Sequence, residues 1–278
     1  MTSPASESTD AQLLRARYGA AAAPAAAALN PVLHRLLSHR TVRAFLPDAL
    51  PANTLEALVA AAQSASSSSN LQLWSVIAVE DATRKARLAE IAGAQAHVAR
   101  APLLLVWLAD LSRMERLAQT HGRALEGTHY FESFLAAAVD AALAAQNAAL
   151  AAESMGFGIC YIGALRNDPE RVAAELGLPP RTMAVFGLCV GREDPAAHAE
   201  IKPRLPQAAV AFRERYEPQG EAALIARYDA TLAEFSRAQG LGEAGWSGRV
   251  FARMGTVKGL NGRERLRAAL RALGFELR

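Results

Sequence analysis

His39-Arg40-Thr41-Val42-Arg43 is the stretch on which the reading of this chain turns. It follows Asn30-Pro31, an asparagine cap with proline in the first turn, which predicts a short helix ending near Ser38. As extended chain, the pentapeptide sends Arg40 and Val42 to one face and His39, Thr41 and Arg43 to the other. Arginine forks make charge-assisted bonds to phosphate, and a threonine hydroxyl can add one more. A solvated basic segment is the plainer reading of the same residues. A second run, Lys202-Pro203-Arg204-Leu205-Pro206, sharpens the choice. Its prolines fix φ around the cations, which suits a loop that meets an anion with little entropy loss. Together the two runs read as a clamp on a phosphorylated cofactor. With no metal cluster or activated nucleophile between them, the chemistry is expected to come from that cofactor.

Outward from these runs, hydrophobic periodicity predicts helices over 52–65, 81–92, 130–155, 168–176 and 221–238. Apolar stretches predict strands over 74–80, 103–109, 158–163 and 183–191, and residues 191–207 read as a loop. Intermixed helices and short strands imply an α+β or α/β sheet covered by helices. The helix near 130–155 is alanine-rich, which permits close helix approach and favours helix on propensity. Gly156-x-Gly158 lacks the full spacing and the strand–turn–helix context of a dinucleotide fingerprint.

Composition excludes several classes. The longest solid apolar run, 102–109, is too short to cross a bilayer. Residues 1–28 lack a basic start and a leucine-rich core, so they read as a flexible arm with a short helix near 11–18, and the protein is expected to be cytoplasmic. Cys160 and Cys189 sit in apolar runs as small hydrophobes, without a CxxC or Cys/His cluster, so no metal site is expected. The net charge is +3, with eight cations in 249–278 against Glu264 and Glu276. Leu266, Ala269, Leu270 and Leu273 recur among them at helical spacing, which favours an amphipathic surface helix over a nucleic-acid patch.

Other segments carry weaker signals. Ser66–Ser69 reads as a flexible linker or as a polar lining of hydroxyls and backbone N–H groups. No G-x-S-x-G elbow surrounds it. Gln95 and His97 read as ordinary surface polars. Gly163, after Tyr161-Ile162, permits close approach of a flat ligand or marks a turn.

HRTVR, the serine run with Leu71-Gln72, Gln95-x-His97-Val98, Ala145-Gln146-Asn147-Ala148, Tyr161-Ile162-Gly163, Leu165-Arg166-Asn167, Phe186-Gly187-Leu188-Cys189 and KPRLP occur in one order from about Asn30 onward. In this the chain resembles the oxygen-insensitive NADPH nitroreductases and FMN-containing flavin reductases. The resemblance implies an α+β fold: a mainly antiparallel sheet flanked by helices in an intertwined homodimer. A domain over 29–278 would send its C-terminal segment to the partner. It also implies bound FMN contacted by His39, Arg40, Thr41, Arg43, Ser67, Ser68, Gln95, Tyr161, Ile162, Gly163, Lys202 and Arg204. The segment 39–43 and Arg204 would hold the phosphate, Lys202 would lie near the ring, and the Gly163 N–H would face N5. Arg43 and Arg263 would meet the nicotinamide nucleotide, NADPH or NADH.

The chain departs from the pattern at Ala164, where a second glycine is usual, and at Thr41, where serine is usual. Residues 239–245 carry no basic side chain where relatives have an arginine-rich stretch. The implied activity is two-electron, ping-pong hydride transfer through the flavin to nitroaromatics, quinones or flavins, with no catalytic side chain. A flavin- or nucleotide-binding regulatory protein without turnover would share the clamp.

Overall fold

The computed structural model describes residues 8–20, 22–24, 28–197 and 199–278. In chain order they form α1 (Thr9–Tyr18), α2 (Pro31–Leu37), α3 (Thr54–Gln63), β1 (Trp74–Val79), α4 (Ala82–Ile91), α5 (Ala96–Arg100), β2 (Leu103–Asp110), α6 (Ser112–His121) and α7 (Phe131–Ser154). There follow β3 (Gly158–Ile162), α8 (Pro169–Leu176), β4 (Thr182–Gly191), α9 (Glu221–Ala238), α10 (Trp246–Met254) and α11 (Leu266–Ala272). The chain divides into two compact units, one of residues 1–40 with 199–260 and the other of 41–198 with 261–278. The boundary falls inside HRTVR, between Arg40 and Thr41.

The second unit is built on an antiparallel sheet of order β1-β2-β4-β3. β2 is buried along its whole length, as an apolar run without alternation demands of a central strand covered on both faces. Leu103, Leu105 and Trp107 point to one face, where they meet Leu58 of α3 and the alanines of α7. Ala137, Ala141, Ala144, Ala145, Ala148, Ala149 and Ala152 recur at helical spacing and are buried. Their small size lets α7 approach the sheet closely. α7 is also long and apolar enough, by length and composition, to cross a membrane. Its burial against β2 and α3 makes it a core helix instead.

The outer strand β3 carries an extra edge. Thr41 bridges Ile159 in parallel, and the Val42 N–H donates to the Ile159 carbonyl at 2.9 Å. A Cβ on Gly158 would lie 2.7 Å from Val42, so only glycine lets HRTVR lie this close. The C-terminal residues pack on the chain's own α7: Phe275 is buried, Arg278 N–H donates to His129 O, and Phe131 N–H to Arg278 O.

In the first unit, the arm expected to hold a short helix near 11–18 contains the capped helix α1. Ser8 accepts from Ala11 N at the start of α1, and Leu14 and Arg17 are buried. Residues 1–7, 21 and 25–27 of that arm lie outside the described residues. α1 is tied onward through Asp10, whose carboxylate meets His34 Nε2 at 2.7 Å and accepts from Leu29 N at 3.1 Å.

Candidate functional site

The first unit holds His39, Arg40, Lys202 and Arg204. The backbone of the Lys-Pro-Arg run is held at consecutive polar groups. The Lys202 carbonyl accepts from Arg17 Nη1 at 2.9 Å, the Pro203 carbonyl from the Tyr228 hydroxyl of α9 at 2.9 Å, and Arg204 N–H donates to Arg17 O at 2.8 Å. Arg17 Nη2 donates to Leu37 O and His39 O, each at 2.7 Å. One buried guanidinium thus joins the two basic runs, backbone to backbone. The exposed Arg204 and half-buried Lys202 project from a loop whose main chain is already fixed.

The second unit holds the remaining candidates. Thr41 and Arg43 flank Val42 on the edge of β3, and β3 runs on through Tyr161 and Ile162 to Gly163. Gly163 opens a short 3-10 turn ending at Asn167, whose side chain accepts from Arg263 Nε at 2.9 Å. Arg263 is therefore anchored to the turn that Gly163 begins. Tyr161 packs edge-on against Phe186, and its hydroxyl lies 3.4 Å from Gln146 of α7. Burial, then the charge of Glu153, pushes the Tyr161 phenol up, so it stays protonated.

Gln95 stands at the start of α5 and donates to Ala92 O at 2.8 Å. His97 differs from the surface polar that its sequence context suggested. Its Nε2 lies 3.8 Å from the Cys160 sulfur, and burial, then the Arg43 charge, lowers its pKa. Cys160 and Cys189 face each other across β3 and β4, both buried as free thiols. Burial pushes the Cys189 thiol up, which leaves it an inert core group.

Ser67 and Ser68 lie on a separate loop that α7 holds from below. Asp140, 1% exposed, accepts from Ser68 N at 2.9 Å and Leu73 N at 3.1 Å. Ser67 Oγ accepts from Gln72 N at 2.9 Å. Ser69, Asn70 and Gln72 take positive φ, so the run is a fixed, strained loop and not a linker. Sequence reasoning missed Arg17 and Asp140. A lone acid amid the alanines of α7 was the available signal for Asp140. For Arg17 there was none.

An antiparallel sheet covered by helices defines an α+β fold of the nitroreductase type. The chain belongs to the nitroreductase family: residues 36–192 match the profile described as "Nitroreductase family", and residues 202–278 match "Nitroreductase family, C-terminal domain". It is 38% identical over 230 residues to the "FMN reductase (NADPH)" of Bacillus subtilis, covering 80% of this chain and 90% of that one. It is 39% identical over 212 residues to the "Oxygen-insensitive NADPH nitroreductase" of Salmonella typhimurium, covering 76% of this chain and 85% of the relative. The solved structure of NfrA2 from B. megaterium superposes with a TM-score of 0.83 at 36% identity, over 90% of this chain and all of that one.

Proposed function

We propose that the chain is an FMN-dependent NAD(P)H oxidoreductase that delivers two electrons to nitroaromatics, quinones or flavins, and that it works as a cytoplasmic homodimer. The observation that carries this reading is the donor set of the first unit. His39, Arg40, Lys202 and Arg204 stand on one compact unit, with the Lys-Pro-Arg main chain held by the protein's own hydrogen bonds. That chemistry fits a phosphate with an anionic group nearby. The names of the relatives above point the same way.

Bound FMN would supply two-electron redox chemistry. The chain's residues bind and orient. His39, Arg40, Thr41 and Arg204 would hold the phosphate, and Ser67, Ser68 and Gln95 would meet the flavin through polar contacts. Lys202 would offset negative charge on the ring, an effect of several kcal/mol at most in a shielded site. Gly163 would present its N–H beside Tyr161 and Ile162, with the Arg166 guanidinium 3.3 Å from where a Cβ would stand. Arg43 and Arg263 would meet the nicotinamide nucleotide. Hydride transfer needs alignment more than a protein base, so no side chain of the chain need act as acid or base. The apolar row Phe131, Leu135, Val139 and Leu143 on α7, 44–50% exposed, supports dimerisation through that helix.

An absorption spectrum of the purified protein, followed by anaerobic titration with NADPH and then NADH, tests the reading. Flavin bands that bleach on titration are expected. Colourless protein that refuses added FMN would overturn the proposal. Bound flavin that neither nucleotide reduces would mark a binding protein without turnover.

A further inference from the structure

Five basic residues of the first unit, Arg17, His39, Arg40, Lys202 and Arg204, are gathered on two chain segments and one helix. Like charges repel, so holding such a gathering together calls for a device that fixes the spacing of its members. Arg17 supplies the device. It is 5% exposed, its guanidinium donates to the carbonyls of Leu37, His39 and Lys202, and its own carbonyl accepts from Arg204 N–H. A planar fork with donors on two nitrogens can serve acceptors on opposite sides at once, and an ammonium cannot keep all three in the same geometry. The helix that carries Arg17 is held in turn by Asp10 through His34 and the Leu29 N–H. Both matched family segments begin after it, at residues 36 and 202, so α1 lies outside the family profiles.

We infer that α1 is a buttress that sets the spacing of the two cationic runs, and that Arg17 is a positioning residue for the phosphate of the bound flavin nucleotide. The identity of the ligand rests on the function proposed above. Residues 8–18 are then a working part of the binding machinery and not a dispensable leader.

The test uses full-length wild type, Arg17→Met and Arg17→Lys, with dissociation constants for FMN and for riboflavin, which has no phosphate, read by flavin fluorescence. Amide hydrogen exchange over 199–206 is measured in the ligand-free proteins. Arg17→Met is expected to weaken FMN about tenfold or more while riboflavin changes less than about twofold, because the effect falls on charge-assisted phosphate contacts. Exchange over 199–206 accelerates, and Arg17→Lys recovers part of the FMN affinity. Equal losses for FMN and riboflavin would reveal general destabilisation and overturn the inference. Unchanged FMN affinity with unchanged exchange would do the same. If wild type takes up neither flavin, the flavin reading fails and the exchange arm alone decides the positioning role. If Arg17→Met does not fold, Arg17→Lys decides between the same outcomes.

Discussion

Replacing Gly158 with alanine puts one methyl between β3 and HRTVR. The added Cβ would stand 2.7, 2.8 and 2.9 Å from Val42 Cγ2, Cβ and Cγ1. Carbon atoms in good contact sit about 3.5–4.0 Å apart, so the Val42 segment must retreat by about 1 Å. Val42 is 2% exposed and has little room to turn aside. Overpacking of this kind costs about 1–3 kcal/mol. The same retreat stretches the 2.9 Å bond from Val42 N–H to Ile159 O, a further loss of about 1 kcal/mol. We expect Gly158→Ala to lose about 2–4 kcal/mol in urea unfolding, and FMN affinity to fall with it, because Thr41 and Arg43 flank the displaced residue. Val42→Ala in the same background removes both methyls but leaves the Cβ at 2.8 Å, so it restores only part. The double-mutant cycle should show coupling of about 1 kcal/mol or more. A Gly158→Ala protein within about 0.5 kcal/mol of wild type, or zero coupling to Val42→Ala, would refute the close-approach argument.

Asp140→Ala orphans the Ser68 and Leu73 N–H groups, at about 1–3 kcal/mol each, and should speed amide exchange over 67–73; unaltered protection there would show that α7 does not hold the serine loop. His97 is held below the ordinary histidine pKa of about 6.5 by burial and by Arg43, so the unfolded chain binds a proton that the folded chain does not. Its contribution is full above about pH 6.5 and is lost as the pH falls below that value; His97→Gln should flatten this part of the stability profile, and an unchanged slope would refute the assignment. Lys202→Met should reduce FMN retention or slow flavin reduction, and unchanged flavin content and rates would remove its role. Leu105→Ala should cost about 2–5 kcal/mol in chemical denaturation, because Leu105 is fully buried between β2 and α7.

The regular elements were legible where local pattern and tertiary burial agree. The apolar run of β2, the alanine-rich α7 and the Asp168-Pro169 start of α8 each announce themselves within a few residues. α6 did not: no helix is predicted between 92 and 130, yet residues 112–121 are helical and end on Gly122 at φ 61°. α5 is only five residues long, which is below what periodicity can register. Gln95 and His97 look like surface polars for the same reason. Only the fold brings His97 against Cys160 and into the field of Arg43.

The primary structure by itself determined the two basic runs, the central strand and the family, because charge, proline and hydrophobic runs act over a few neighbouring residues. The tertiary structure alone decided how those residues are held. Arg17 meets Lys202 across 185 positions, and Asp140 meets Ser68 across 72. Hydrogen bonds of that span leave no periodicity or local composition in the chain, since each partner's identity makes sense only once folding has placed the other beside it.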